Sequence, residues 1–125
     1  MASEKRILNE ALIAVSALPD VMAWRNNTGM AWQSNERMKV GVGSMVRVTP
    51  GMVILLEARP VSFGLPGSGD IMGLQRGRAF AIETKTSSGR QSEQQRKFEA
   101  AFRRAGGLYG LARDVDQALA VLASE

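Results

Sequence analysis

Gly69-Asp70-Ile71-Met72-Gly73-Leu74-Gln75-Arg76-Gly77-Arg78-Ala79-Phe80-Ala81-Ile82-Glu83-Thr84-Lys85 is the stretch that decides the fold. Asp70 opens a short apolar run, Ile71 to Leu74. Gln75-Arg76-Gly77-Arg78 reads as a turn, and Ala79 to Lys85 as a second strand. Two such strands joined by a tight turn pair antiparallel. The side-chain period of a strand is two, so Glu83 and Lys85 share one face and Ile82 and Thr84 the other. Phe80 and Ile82 supply the core side. A carboxylate and an ammonium then stand at a strand end, opposite an Asp on the neighbouring strand.

Working outward, Ser3 precedes apolar residues at 7, 8, 11, 12, 15 and 18, the spacing of a helix with Ser3 as its N-cap. Pro19-Asp20 ends it. Val21 to Trp24 reads as a short strand. Met45 to Thr49 and Met52 to Leu56 are β-rich and flank Pro50-Gly51, which predicts a hairpin. The stretch from Gly64 to Asp70 is a loop dense in turn residues. Beyond Lys85, a helix is expected over Gln91–Ala105, stopped by Gly106-Gly107. Leu108 to Ala112 reads as a strand. A last helix is capped by Asp114 and Gln117. The order is α-β-β-β-β-β-α-β-α, an α/β chain with a sheet flanked by helices. The 125 residues suit one domain.

Composition narrows the chemistry. The chain has no cysteine and no histidine. That excludes a disulfide framework, a thiol nucleophile, a Ser–His–Asp triad and the usual zinc sites. Oxygen-only ligation favours hard ions such as Mg²⁺ or Mn²⁺. Sixteen Lys and Arg, twelve of them Arg, face twelve acids, for a net charge of +4. Such a surface suits a polyanionic partner. The N-terminus is charged and then helical, unlike a signal peptide, and no apolar stretch is long enough to span a membrane. A cytoplasmic location is expected.

Two carboxylates held close together repel, and each raises the other's pKa. A divalent cation removes that penalty by taking an oxygen from each. Phosphodiester hydrolysis uses such a site: the metal polarises the phosphate and activates water, and a neighbouring lysine orients the water or stabilises the transition state. Gly67 and Gly69, lacking a Cβ, would let a phosphate approach the backbone. An E-x-K triplet alone is weak. A G-x-G-D turn, an apolar strand, a second turn and an apolar strand ending in E-x-K form a far more specific pattern.

With these pieces in place, the chain resembles the PD-(D/E)XK nuclease superfamily, and within it the VRR-NUC (virus-type replication-repair nuclease) family. The matching segments are Arg25-Asn26-Asn27-Thr28-Gly29, Phe63-Gly64-Leu65-Pro66-Gly67-Ser68-Gly69-Asp70, Ile82-Glu83-Thr84-Lys85, Gly89-Arg90-Gln91-Ser92-Glu93-Gln94-Gln95 and Gly106-Gly107-Leu108-Tyr109. They run in the family's order over nearly the whole chain; residues 30–62 do not match closely. The superfamily's leading Pro-Asp is here Gly69-Asp70. The resemblance implies a restriction-endonuclease-like core, a central mixed β-sheet flanked by helices. It implies Asp70 and Glu83 as metal ligands and Lys85 as the catalytic lysine.

It also implies a glutamine on the following helix, matched by Gln95. Gln95, Phe98 and Phe102 share one helical face, which turns Gln95 toward the sheet. The alternative is a polar residue that only caps the first turn. The family's carboxylate on helix 1 has two candidates, Glu4 and Glu10. Glu4 lies on the stripe of Ile7, Leu8, Ala11 and Val15 and is preferred as a further catalytic and metal-binding residue. Arg25, Asn26, Asn27 and Thr28, with Ser68 of the glycine-rich loop, are candidate nucleic-acid contacts. The Asn cluster could equally order the active-site backbone. Arg76 and Arg78 at a hairpin tip are weaker candidates for the same role. Trp24 and Trp32 are expected in the core or an interface.

The implied activity is a Mg²⁺- or Mn²⁺-dependent DNA endonuclease. Stand-alone members of the family are similar to Holliday-junction resolvases of phages and bacteria, so branched DNA and a C2 homodimer are the expected partners, with no membrane and no nucleotide cofactor. The 45–56 hairpin is the candidate dimer or junction contact. A non-catalytic nucleic-acid-binding module, or an interaction protein whose charges are only surface salt bridges, are the alternatives.

Overall fold

A computed structural model describes residues 2–27, 29–30, 36–59 and 62–123. Their elements run α1 (Glu4–Ser16), β1 (Val21–Arg25), β2 (Gly29–Met30), β3 (Ser62–Phe63), β4 (Ile71–Gln75), β5 (Arg78–Thr84), α2 (Glu93–Arg104), β6 (Leu108–Ala112) and α3 (Val115–Ala123). The contacts group into two compact units, Met1–Thr28 with Gly64–Glu125, and Gly29–Phe63.

The first unit is an α/β layer structure with a four-stranded sheet in the order β1-β4-β5-β6. β1 pairs with β4, and β4 with β5, antiparallel; β5 pairs with β6 in parallel. The sheet is therefore mixed. The parallel step needs a crossover, and α2 supplies it. The β4–β5 hairpin closes through Arg76 and Gly77, at φ 49° and 80°. Two consecutive positive φ values match the right-handed twist of the strands they join.

Alternation sorts the sheet into two faces. Ile71, Phe80, Ile82, Leu108 and Ala112 share a core with Leu8, Ala11 and Val15 of α1 and Ala118, Val121 and Leu122 of α3. The neighbouring β6 residue Tyr109 points the other way, toward Phe98 of α2, with ring centroids 6.1 Å apart. α2 therefore covers the opposite face at β6. Met22 and Trp24 also lie on the face away from α1, and Trp24 is 45% exposed. Of the two places expected for Trp24, core or interface, the core is corrected: the alternation that half-buries Val21 and Ala23 turns Trp24 outward. Trp32 lies outside the described residues.

The helix ends follow the sequence. Ser3 accepts from Arg6 N at 3.2 Å. Asp114 accepts from Gln117 N at 2.8 Å, while the Gln117 side chain reaches back to Arg113 N, also at 2.8 Å. None of the described helices is long and apolar enough to cross a membrane.

In the second unit, β2 and β3 form a two-stranded antiparallel pair. The order of elements is the one expected, but these two strands are not where they were expected. Residues 36–59 contain no strand. Of the 45–56 hairpin only the turn forms, with Met52 N donating to Thr49 O at 3.2 Å. The reason is tertiary. β-branched residues favour strands where a packed face receives them, whereas Met45, Val53 and Leu56 are 81–99% exposed. A lone hairpin without a buried face is marginal, so as a preformed β contact for a dimer or a junction the 45–56 segment is withdrawn.

Gly73 stands opposite Phe80 in the β4–β5 register. A Cβ there would lie 2.4 Å from Met22 O and 2.5 Å from Phe80 Cζ. Gly73→Ala is expected to destabilise the fold by about 1–3 kcal/mol through overpacking. A thermal melt checks this; an unchanged midpoint would show that the β1–β4–β5 packing is looser than described.

Candidate metal centre

Ile71 and Ile82 are the last paired residues of the β4–β5 ladder. Asp70 stands one residue outside β4, and Glu83 follows Ile82 on β5. The main chain pins Asp70: its carbonyl accepts from Asn26 N at 2.8 Å. Its carboxylate Oδ2 accepts from Thr84 N at 2.9 Å and from Thr84 Oγ1 at 2.8 Å. The Asp70 side chain thus continues the ladder where β4 ends.

Glu83 is 2% exposed. Its Oε1 accepts from Gln95 Nε2 at 2.7 Å and lies 3.8 Å from Lys85 Nζ. Its Oε2 is buried with no hydrogen-bond partner among the described residues. Glu4, in the first turn of α1, completes the group: one carboxylate oxygen each from Glu4, Asp70 and Glu83 lie within 4.8 Å of one another. Burial raises the pKa of the Glu83 carboxyl to about 8, helped by the neighbouring Asp70 carboxylate; Lys85 opposes the shift.

The structure brings together Glu4, Asp70, Glu83, Lys85 and Gln95. It separates Glu10, which is exposed and paired with Arg6 at 2.9 Å. Gln95 meets both descriptions. Its Oε1 accepts from Ser92 N at 2.8 Å, closing a capping box, while its Nε2 holds Glu83. The amide has an acceptor end and a donor end, and each is used.

The donor cluster divides. Asn26 Nδ2 donates to Ser68 Oγ at 2.8 Å and to Gly69 O at 2.9 Å, so Asn26 and Ser68 order the loop that delivers Asp70. Arg25 is exposed and, with Glu4, Lys5, Leu8, Asp70 and Thr84, lines a cavity of about 220 Å³. Asn27 is exposed, and Thr28 lies outside the described residues. Arg76 pairs with Asp20 at 2.8 Å, and Arg78 donates to Gly106 O at 2.8 Å.

Open backbone for a phosphate at Gly67 and Gly69 is a reading the structure corrects. A Cβ at Gly67, which has φ 80°, would lie 2.3 Å from Gln94 O. One at Gly69 would lie 3.0 Å from Ile82 O. The protein itself takes that space, as the loop packs on α2 and β5.

Sequence reasoning missed two residues. Alternation alone puts Thr84 on the core side of β5 and gives it no further role. A buried hydroxyl among apolar neighbours needs a partner, and that signal points to Asp70. Arg113 donates through Nη1 to Thr86 O and, at 2.8 Å, to Gly89 O, tying down the loop after Lys85. No local pattern announces a contact across 24 residues or more.

The three clustered carboxylates, one of them with a buried oxygen unpartnered among the described residues, offer oxygen ligands only, in a chain without His or Cys. The chain matches no family model, no curated protein and no solved structure.

A carboxyl raised on folding from its ordinary 4.5 to about 8 binds its proton more tightly in the native state. Its stabilising contribution is full below the unfolded value and is lost as pH rises toward the folded one. In chelator, the urea midpoint is therefore expected to fall as pH rises from about 5 to about 8, across the range between those two pKa values. Glu83→Gln stays neutral and should lack this fall; parallel profiles for the two proteins would remove Glu83 as its source.

Proposed function

We propose that this chain is a divalent-cation-dependent DNA endonuclease with a PD-(D/E)XK core, similar to the VRR-NUC nucleases, and that it hydrolyses phosphodiester bonds. The observation that carries the reading is the buried Glu83 carboxyl, grouped with those of Asp70 and Glu4, its Oε2 without a hydrogen-bond partner among the described residues and its Oε1 3.8 Å from Lys85 Nζ. An isolated buried carboxylate is costly, and a cation offsets that cost.

Glu4, Asp70 and Glu83 would hold the cation, Mg²⁺ or Mn²⁺. When bound, it polarises the phosphate and lowers the pKa of a coordinated water. The protein supplies the geometry. Gln95 holds Glu83 in one rotamer, and Thr84 fixes Asp70 through two donors. Lys85 orients the attacking water or donates to the phosphoryl oxygen as negative charge builds there. The water oxygen bonds to phosphorus, the P–O bond to one sugar breaks, and the departing oxygen takes a proton. One strand end keeps the phosphate and the other a hydroxyl.

The same reading takes branched DNA as substrate. Cutting both strands of a four-way junction needs two sites, which a C2 homodimer provides. It places the work in the cytoplasm of a bacterial or phage-infected cell.

Incubation with four-way, flapped and linear DNA in Mg²⁺ or Mn²⁺ is expected to give metal-dependent cuts on a denaturing gel. Asp70→Asn, Glu83→Gln and Lys85→Met should each lower the rate by about a hundredfold or more. Binding with no cutting of any substrate would instead favour a non-catalytic DNA-binding module.

Thr84→Val keeps the backbone donor to Asp70 but loses the hydroxyl. It is expected to weaken Mn²⁺ binding by about tenfold in calorimetry. Unaltered Mn²⁺ affinity would mean that the hydroxyl does not orient Asp70 for a cation.

A further inference from the structure

Most cations of the first unit are already engaged. Arg6, Arg76, Lys85, Lys97 and Arg103 form ion pairs. Arg78, Arg96 and Arg113 donate to main-chain carbonyls. The side chains of Lys5 and Arg25 do neither among the described residues, although both border the cavity that contains Glu4 and Asp70. Both are exposed.

Their positions come from two separate elements. Lys5 sits in the first turn of α1, next to Glu4, and Arg25 ends β1 opposite Ile71. Lys85 does not border this cavity; it meets Glu83. Positive charge therefore reaches the carboxylates by two routes, one through Lys85 and one through Lys5 and Arg25. A polyanion approaching three carboxylates is repelled, and unpaired cations at the mouth offset that repulsion. An Arg offers a planar fork that holds a phosphate with two bonds, and a Lys adds a point charge. The helix-start charge at α1 acts in the same direction.

Resting on the nuclease reading, we infer that Lys5 and Arg25 form a phosphate subsite that grips one backbone phosphate of the DNA strand beside the scissile one. Lys85 serves the attacked phosphate, whereas Lys5 and Arg25 hold its neighbour and set how the strand crosses the carboxylate cluster. The pair acts on binding and register and takes no part in bond breaking.

The test uses the whole chain and a four-way junction with Ca²⁺ in place of Mg²⁺, the DNA being checked for integrity on a gel. Affinity is measured by fluorescence anisotropy across a salt series. The double variant Lys5→Gln/Arg25→Gln is expected to reduce the slope of log K against log salt by about 0.9, which corresponds to roughly eightfold weaker binding at about 0.1 M salt. Replacing single phosphates by neutral methylphosphonates near the cut should weaken the wild type at one position and leave the double variant unmoved there. Arg104→Gln, at the far end of α2, should keep the wild-type slope. A double variant with wild-type slope and affinity overturns the subsite, and metal-dependent cutting by the wild type would leave the nuclease reading standing. An equal loss in Arg104→Gln overturns it too, because the effect is then general charge. Wild-type protein that neither binds nor cuts DNA overturns both.

Discussion

The Glu83 carboxylate is buried beside that of Asp70, and the surrounding structure is arranged around keeping it there. A carboxylate removed from water loses hydration that must be replaced by partners. Gln95 replaces part of it at Oε1, and Lys85 contributes at longer range. Oε2 receives nothing from the described residues. The group therefore holds its proton to about pH 8 unless a cation takes the proton's place. Among the described residues, Glu83 Oε2 is the buried side-chain oxygen left without a hydrogen bond.

Each neighbouring element serves that arrangement. The β4–β5 hairpin puts Asp70 across from Glu83 and Thr84, and Thr84 bonds Asp70 through its main chain and its side chain. Asn26, following β1, ties the loop before Asp70. Gly67 lets that loop press on the start of α2, where Gln95 emerges. Arg113 anchors the loop after Lys85. Strands, loop and helix end thus converge on one end of the sheet, and the rigidity of the ladder positions the carboxylates.

The three clustered carboxylates offer oxygen atoms alone, in keeping with a chain that lacks histidine and cysteine. Lys85 Nζ lies 3.8 Å from Glu83, and Lys5 and Arg25 border the cavity beside Glu4 and Asp70. In the first unit the cations divide: eight of its twelve Lys and Arg bond carboxylates or main-chain carbonyls, whereas Lys5, Arg25, Arg90 and Arg104 do neither among the described residues.

Local pattern determined much of this protein. The period-two alternation of β4 and β5, the glycine turn between them, the caps at Ser3 and Asp114 and the apolar stripe of α1 all follow from neighbouring residues. So does the shared face of Glu83 and Lys85. Glu4 is separable from Glu10 because helical phase alone puts Glu4, itself exposed, in line with the buried Ile7, Leu8, Ala11 and Val15. Tertiary structure decided the rest. The 45–56 stretch has strand chemistry but no packed face, so it forms a turn and no hairpin. Trp24 is turned outward by the same alternation that turns Ala23 toward the core. Gly67 and Gly69 admit α2 and β5 rather than a phosphate, and the partners of Thr84 and Arg113 come from distant segments. Alternation and capping act over a few residues and can be read along the chain; burial and long-range partners exist only once the sheet has assembled.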